Sequence, residues 1–174
     1  RNCGGTNTAC FLCRLAKGLG GTAYGKRGLG EITEDFIMEY ITLSNGVRMP
    51  ILGYGVYQVA KEECERCVLD ALKVGYRHID TAQSYFNEEE VGSAIEKSGV
   101  PREEIFLTTK VWIEHYGYEE TKASVEESLR KLKTDYLDLV LLHQPFSDTY
   151  GAWRALEALY DEGKIRAIGI SNAT

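Results

Sequence analysis

Four residues whose side chains can transfer or orient protons follow apolar, strand-like segments of this 174-residue chain. Asp80 and Tyr85 lie in the run GYRHIDTAQSY at residues 75–85, just past a short apolar strand. Lys110 and His143 each close a later strand-like segment. Active sites of parallel α/β folds are built where the carboxyl ends of the strands meet, so these four side chains are expected to lie together.

The four side chains together suit the reduction of a carbonyl group. A free phenol has a pKa of about 10, which is too high for an efficient proton donor near neutral pH. A lysine ammonium beside the phenol lowers that pKa, and a carboxylate keeps the lysine charged and oriented. Tyr85 would then protonate the carbonyl oxygen, while His143 would donate a hydrogen bond to the same oxygen. No side chain supplies a hydride, so we expect a nicotinamide cofactor.

Each of the four residues also has a structural alternative. Asp80 could cap the helix that follows it, and Tyr85 could be one of 11 tyrosines that pack at the surface. Lys110 and His143 are harder to explain in this way. A lysine in a strand that is otherwise apolar costs desolvation free energy unless it is paired.

Composition argues against several classes of partner. The net charge of −6 and the pI near 5.2 disfavour a duplex nucleic-acid binder, which usually presents a basic face. No apolar run reaches the roughly 18 residues that a membrane span needs, and no secretory signal opens the chain. We therefore predict a cytoplasmic protein with a small-molecule substrate that binds neither nucleic acid nor membrane.

Five cysteines include two Cys-x-x-Cys pairs, Cys10 with Cys13 and Cys64 with Cys67, besides Cys3. A four-cysteine zinc site is one interpretation, but about 50 residues separate the pairs. Cys64 and Cys67 also fall on one face of a predicted helix, as small buried hydrophobic residues would. We favour that second interpretation and predict no metal site.

Residues 1–37 do not match the rest of the chain. They are rich in glycine, cysteine and small polar residues, show no sustained period, and precede the first methionine, Met38. We interpret them as a disordered or artefactual leader, with the folded part at residues 38–174.

After Met38 the sequence predicts a hairpin followed by alternating strands and helices. Ile41–Leu43 and Val47–Met49 flank the turn pair Asn45-Gly46, which is typical of a tight β-turn. Further predicted strands are Leu52–Tyr57, Arg77–Thr81, Ile105–Trp112, Leu137–His143 and Ala167–Ser171. Predicted helices are Lys61–Val74, Glu88–Lys97, Glu119–Leu132 and Tyr150–Asp161.

This alternation indicates βαβ units around a parallel sheet. Both a flavodoxin-like open sheet and a (β/α)₈ TIM barrel fit it. No Gly-x-Gly-x-x-Gly motif follows a strand, so a Rossmann phosphate loop has no support. The spread of catalytic candidates over several strand ends favours the barrel.

Four ordered segments of the chain resemble the aldo-keto reductase family, closest to its bacterial diketogluconate and methylglyoxal reductase branch. The segments are Gly75–Gly92, Thr108–Trp112, Leu141–Pro145 and Gly163–Asn172. In that order, the first is similar to the family's first signature, the next two to its lysine and histidine strands, and the last to its second signature.

The resemblance implies a (β/α)₈ barrel whose bottom is closed by the hairpin, and NADPH-dependent reduction of aldehydes and ketones, with NADH as an alternative cofactor. It implies the tetrad Asp80, Tyr85, Lys110 and His143, with Tyr85 as general acid, and it favours a monomer. By the same resemblance, the cofactor-binding residues are Gly55, Val56, Tyr57, Asp80, Ser171 and Asn172, and the substrate-binding residues are Tyr57, Trp112 and His143.

Two features depart from the family pattern. Ala173 stands where the second signature normally ends in an aromatic residue. The chain also reaches Thr174 after about five of eight strands, whereas such a barrel runs to about 250 residues. We therefore expect the N-terminal part of a barrel, and we expect the chain by itself to bind NADPH weakly or not at all and to reduce nothing.

Two other functions fit the same residues. One is a non-catalytic nicotinamide-binding subunit that senses redox state, although such a sensor has less need of all four tetrad residues. The other is a (β/α)₈ lyase that uses Lys110 as a Schiff-base nucleophile.

Overall fold

The computed structural model describes residues 38–173, which form a β-hairpin and a five-stranded parallel sheet with four α-helices. The predicted leader, residues 1–37, lies outside the described residues. The hairpin joins β1 (Tyr40–Thr42) to β2 (Arg48–Pro50), with Ile41 opposite Met49. Gly46 lies in the turn with φ +86°, a conformation that glycine adopts without steric cost. The predicted hairpin is therefore confirmed.

The five parallel strands follow one another across the sheet in the order in which they occur in the chain. A flavodoxin-like sheet would instead place its first strand inside the sheet. The observed order is the one that a barrel requires, and it confirms the barrel interpretation. The strands are β3 (Tyr54–Gly55), β4 (His78–Asp80), β5 (Phe106–Val111), β6 (Leu139–Leu142) and β7 (Ile168–Ile170).

Helices connect the strands and cover one face of the sheet, as in right-handed βαβ units. Each packs against the next one along the chain. Gly92 lets the second and third helices approach closely, because a Cβ there would lie 2.8 Å from the Leu132 Cα. The helices are α1 (Lys61–Lys73), α2 (Glu88–Ser98), α3 (Tyr118–Leu132) and α4 (Thr149–Asp161). Among residues 38–173, no helix is both long enough and apolar enough to cross a membrane.

The core lies between the helices and the sheet, where each helix buries one apolar face. Cys64 is buried among the apolar residues of α1, while Cys67 is half-buried. Ala123 is apolar but exposed, because the buried face of α3 runs through Thr121, Val125 and Ser128 instead. A hundred-degree step per residue places Ala123 on the side of the helix opposite that face.

The apolar run of β6 would suit a strand buried on both faces, but only one of its faces is fully buried. Val140 and Leu142 are fully buried against the helices. Leu139 and Leu141 point the other way and are half-buried, because they line a recess of about 800 Å³ with Met49 and Ile168. Within the described residues, the inner face of the sheet is thus only partly covered.

Asp138 joins the amino ends of two strands through a buried ionic network. Its side chain is 5% exposed and accepts hydrogen bonds from Arg102 Nη2 at 2.9 Å and from the Leu107 backbone at 3.0 Å. Arg166 approaches at 3.3 Å, and the two guanidinium groups stack on the Tyr136 ring. This network explains the single acid in an otherwise apolar segment.

We predict that Asp138→Ala lowers the free energy of unfolding by about 3–5 kcal/mol, because it leaves a half-buried guanidinium and a buried N–H without their acceptor. Urea unfolding of the chain, followed by circular dichroism, measures the change. Glu65→Ala is the matched control, since it breaks the more exposed pair with Lys97 and should cost less than about 1 kcal/mol. Equal losses in the two variants would contradict the structural role of Asp138.

Candidate active site

The carboxyl edge of the sheet brings the four predicted tetrad residues together. Asp80 ends β4, Lys110 lies near the end of β5, and His143 directly follows β6. Tyr85 ends a 3₁₀ turn at Gln83–Tyr85 that follows β4. Parallel pairing aligns Asp80 with Thr108, so the side chains of neighbouring strands reach the same edge.

The ammonium of Lys110 is the centre of this cluster. The residue is 7% exposed, and its Nζ donates to Asp80 Oδ1 at 2.5 Å, to the Thr81 carbonyl at 3.0 Å and to Tyr85 Oη at 3.4 Å. These contacts occupy the three donors of the ammonium. A carboxylate and a phenol are thereby held on one cation, as the tyrosine-activation chemistry requires.

His143 lies on the other side of Tyr85, with its ring centroid 5.8 Å from that of the phenol. Burial lowers the pKa of the imidazole, and the nearby Lys110 ammonium lowers it further, against the opposing effect of Asp80. The ring is therefore neutral near pH 7 and can donate a hydrogen bond from one nitrogen. Its Nδ1 lies 3.3 Å from Ser84 Oγ.

Aromatic rings surround the phenol and the imidazole. The Tyr57 ring lies 5.0 Å from the Tyr85 ring, and the Trp112 ring lies 5.2 Å from the His143 ring. Tyr57 is 63% exposed, so it lies on the solvent side of this cluster. The three residues predicted to bind substrate, Tyr57, Trp112 and His143, are thus brought together with the tetrad.

Apart from Asp80, which ends β4, the residues predicted to bind a cofactor lie at or just after the ends of the two outer strands that flank this cluster. On one side, Gly55 ends β3, and the Val56 backbone donates to the Asp80 carbonyl at 3.0 Å, while the Val56 side chain is fully buried. On the other side, the Ser171 backbone donates to the Leu142 carbonyl at 2.8 Å. The Asn172 side-chain amide donates to the His143 carbonyl at 2.9 Å.

Two side-chain amides support the site, although sequence reasoning assigned them no role. Gln83 accepts a hydrogen bond from the Trp112 backbone at 2.9 Å and donates to Ser128 Oγ at 3.1 Å. Asn87 accepts from Thr81 Oγ1 at 2.9 Å and donates to the Val56 carbonyl at 3.1 Å. The sequence feature that could have identified them is their position in an irregular loop, where buried backbone groups need side-chain partners.

Glu88 is a buried carboxyl group directly behind the lysine strand. Thr109 Oγ1, the neighbour of Lys110, donates to it at 2.8 Å. Burial raises the pKa of Glu88, against the opposing effect of hydrogen bonds from Thr109 and Ser128. Its carboxyl group therefore braces β5 against the helices rather than lying in the open site.

No group of three or more His, Cys, Asp or Glu side chains within residues 38–173 could hold a metal ion. Three of the five cysteines, Cys3, Cys10 and Cys13, lie outside the described residues. The structure therefore does not test the four-cysteine zinc interpretation.

We predict that the His143 imidazole titrates below the ordinary histidine pKa. The Lys110→Met variant should raise the pKa of His143, because it removes a nearby positive charge. NMR titration of the imidazole resonances measures this directly, since the chain has only three histidines. Lys122→Met, a change at a surface ammonium paired with Glu162, is the control and should leave His143 unchanged. An unaltered His143 pKa in Lys110→Met would show that the two groups do not interact.

Known proteins match this chain in both sequence and fold. The family model described as "Aldo/keto reductase family" matches residues 50–174. The glyoxal reductase of Bacillus subtilis (strain 168) is 54% identical over 138 residues, which make up 78% of this chain and 50% of that protein. The chain thus spans about half the length of the relatives it matches.

Solved structures agree with the sequence matches. An aldo/keto reductase from Brucella melitensis superposes with a TM-score of 0.78 at 47% identity, over 79% of this chain and 55% of that one. An aldo-keto reductase of Bombyx mori in complex with NADP gives a TM-score of 0.74 at 34% identity, over 78% of this chain and 50% of that one. Since the family model covers most of the chain and solved members share its fold, the chain belongs to the aldo/keto reductase family.

Proposed function

We propose that this chain supplies the proton-transfer part of an active site that reduces aldehydes and ketones to alcohols with a nicotinamide cofactor. The observation that carries the proposal is the buried Lys110 ammonium, which contacts the Asp80 carboxylate and the Tyr85 phenol at once. A structural ion pair would need only the carboxylate. The additional phenol contact gives the lysine a group whose acidity it can increase.

In the proposed mechanism, Tyr85 donates its phenolic proton to the carbonyl oxygen of the substrate. Lys110 stabilises the phenolate that remains, and Asp80 holds the lysine in place. His143, neutral near pH 7, donates a second hydrogen bond to the same oxygen and so orients the carbonyl. When bound, the nicotinamide supplies the hydride that reaches the carbonyl carbon, and solvent returns a proton to Tyr85 after the alcohol leaves.

Residues on the two flanks would hold the nicotinamide. Ser171 and Asn172 bring a hydroxyl and an amide, which suit the carboxamide of the ring, and Gly55, Tyr57 and Asp80 lie on the opposite flank. The relative from Bombyx mori that was solved with NADP supports NADPH as the cofactor, with NADH as the alternative.

The substrate is proposed to be a small carbonyl compound. The Tyr57 and Trp112 rings lie beside the phenol and the imidazole, and they would pack against the carbon skeleton next to the reacting carbonyl. The name of the Bacillus subtilis relative, glyoxal reductase, places short dicarbonyl compounds first among the substrates to assay.

The geometry also bears on the two alternative functions. A Schiff-base lyase needs a lysine lone pair, but the contacts of Lys110 use its three N–H donors as an ammonium would. A redox sensor would bind the cofactor without needing Tyr85 for turnover. Replacing that tyrosine therefore separates the reductase from the sensor.

We predict that Tyr85→Phe lowers kcat by about 10²–10⁴-fold while cofactor binding is retained, because only the proton donor is removed. The assay uses a hybrid in which residues 38–174 replace the matching half of the Bacillus subtilis glyoxal reductase. NADPH oxidation reports turnover, and cofactor fluorescence reports binding. Tyr160→Phe, at the far end of α4 from this edge, is the matched control. Full turnover by the Tyr85→Phe hybrid would refute a role as general acid.

We also predict that the 174-residue chain by itself consumes no NADPH with a simple aldehyde and binds the cofactor weakly or not at all. Within the described residues, β3 and β7 are end strands, and the inner face of the sheet borders an open recess. The hybrid serves as the positive control in the same assay. Steady NADPH consumption by the chain alone would contradict this prediction.

A further inference from the structure

Ser84 is a polar residue of the site that the tetrad does not include. It lies between Gln83 and Tyr85 in the 3₁₀ turn, is half-buried, and places its Oγ 3.3 Å from His143 Nδ1. The turn is held by the hydrogen bonds of Gln83 to Trp112 and Ser128, and by the Tyr85 backbone bond to the Ala82 carbonyl. The hydroxyl therefore occupies a fixed position beside the imidazole.

A neutral imidazole carries its proton on either Nδ1 or Nε2, and the hydrogen bond to one nitrogen determines which. The backbone of His143 is held on both sides, because its N–H donates to the Val111 carbonyl and its carbonyl accepts from Asn172. The Tyr85 and Trp112 rings pack edge-on against the imidazole. These contacts place the ring, but they leave the position of its proton open.

We propose that Ser84 is a positioning residue that donates its hydroxyl hydrogen to His143 Nδ1 and so places the imidazole proton on Nε2. This inference rests on the proposed function, in which His143 donates to a substrate carbonyl. A carbonyl oxygen only accepts hydrogen bonds, so the nitrogen that faces it must carry the proton. A serine hydroxyl can donate or accept, and here donation is the arrangement that leaves Nε2–H available.

Nitrogen NMR of the full chain tests the assignment without any need for turnover. The chain has three histidines, His78, His115 and His143, so its imidazole signals are few. We expect a neutral His143 with an unprotonated Nδ1 and a protonated Nε2. In Ser84→Ala the signals should shift toward a mixture of tautomers, whereas Ser84→Thr, which keeps the hydroxyl, should restore the single form. Ser93→Ala, at a half-buried serine of α2, is the matched control.

Turnover of the hybrid enzyme provides the second measurement. Ser84→Ala should lower kcat/KM for the carbonyl substrate roughly five- to tenfold, the effect of one hydrogen bond, while NADPH affinity and the Ser93→Ala control stay unchanged. A protonated Nδ1 in the unmodified chain would overturn the proposal. So would a Ser84→Ala variant whose tautomer and kcat/KM are both unchanged. If the tautomer follows Ser84 but the hybrid reduces no carbonyl, the Ser84 assignment stands and the proposed function alone fails.

Discussion

The burial of one ammonium group constrains most of the structure at the carboxyl edge of the sheet. Removing a charge from water costs several kcal/mol unless well-placed partners replace the lost hydration. Lys110 receives its partners from three places: a carboxylate at the end of β4, a backbone carbonyl one residue later, and a phenol at the end of the following turn. The segment from Asp80 to Tyr85 therefore follows the course that brings these three hydrogen-bond partners to the lysine.

That path is irregular, and it requires support of its own. Backbone groups in a buried loop have no neighbouring strand to satisfy them, so side chains must do so. Asn87 links Thr81 to the Val56 carbonyl, and Gln83 links the turn to β5 and α3. Two residues outside the tetrad thus help to determine where the acid, the phenol and the lysine lie. For this reason the supporting residues of the run from residue 75 to residue 92 matter to the site as well as its two reactive groups, Asp80 and Tyr85.

The sequence predicted the elements of this fold better than the supporting contacts. Alternating apolar segments located four helices and five parallel strands, because burial of one face produces a period that can be read directly. Strand β3 was predicted at Leu52–Tyr57 but covers only Tyr54–Gly55. Gly53, just before the strand, passes so close to the His78 ring that a Cβ there would lie 2.8 Å from it.

Chain order placed the tetrad, because parallel strands bring their carboxyl ends to one edge. The roles of Gln83, Ser84 and Asn87 could not be predicted in this way. Their partners lie up to 59 residues away, at positions that no local period specifies. Strand β5 is nevertheless held at both ends by contacts to neighbouring strands. The Leu107 backbone donates to Asp138 near one end, and the Lys110 ammonium donates to Asp80 near the other. A one-residue slip would turn Lys110 toward the opposite face of the sheet, and a two-residue slip would separate both pairs. Two buried charges, Lys110 in β5 and Asp138 beside the amino end of that strand, therefore hold the register on which the site depends.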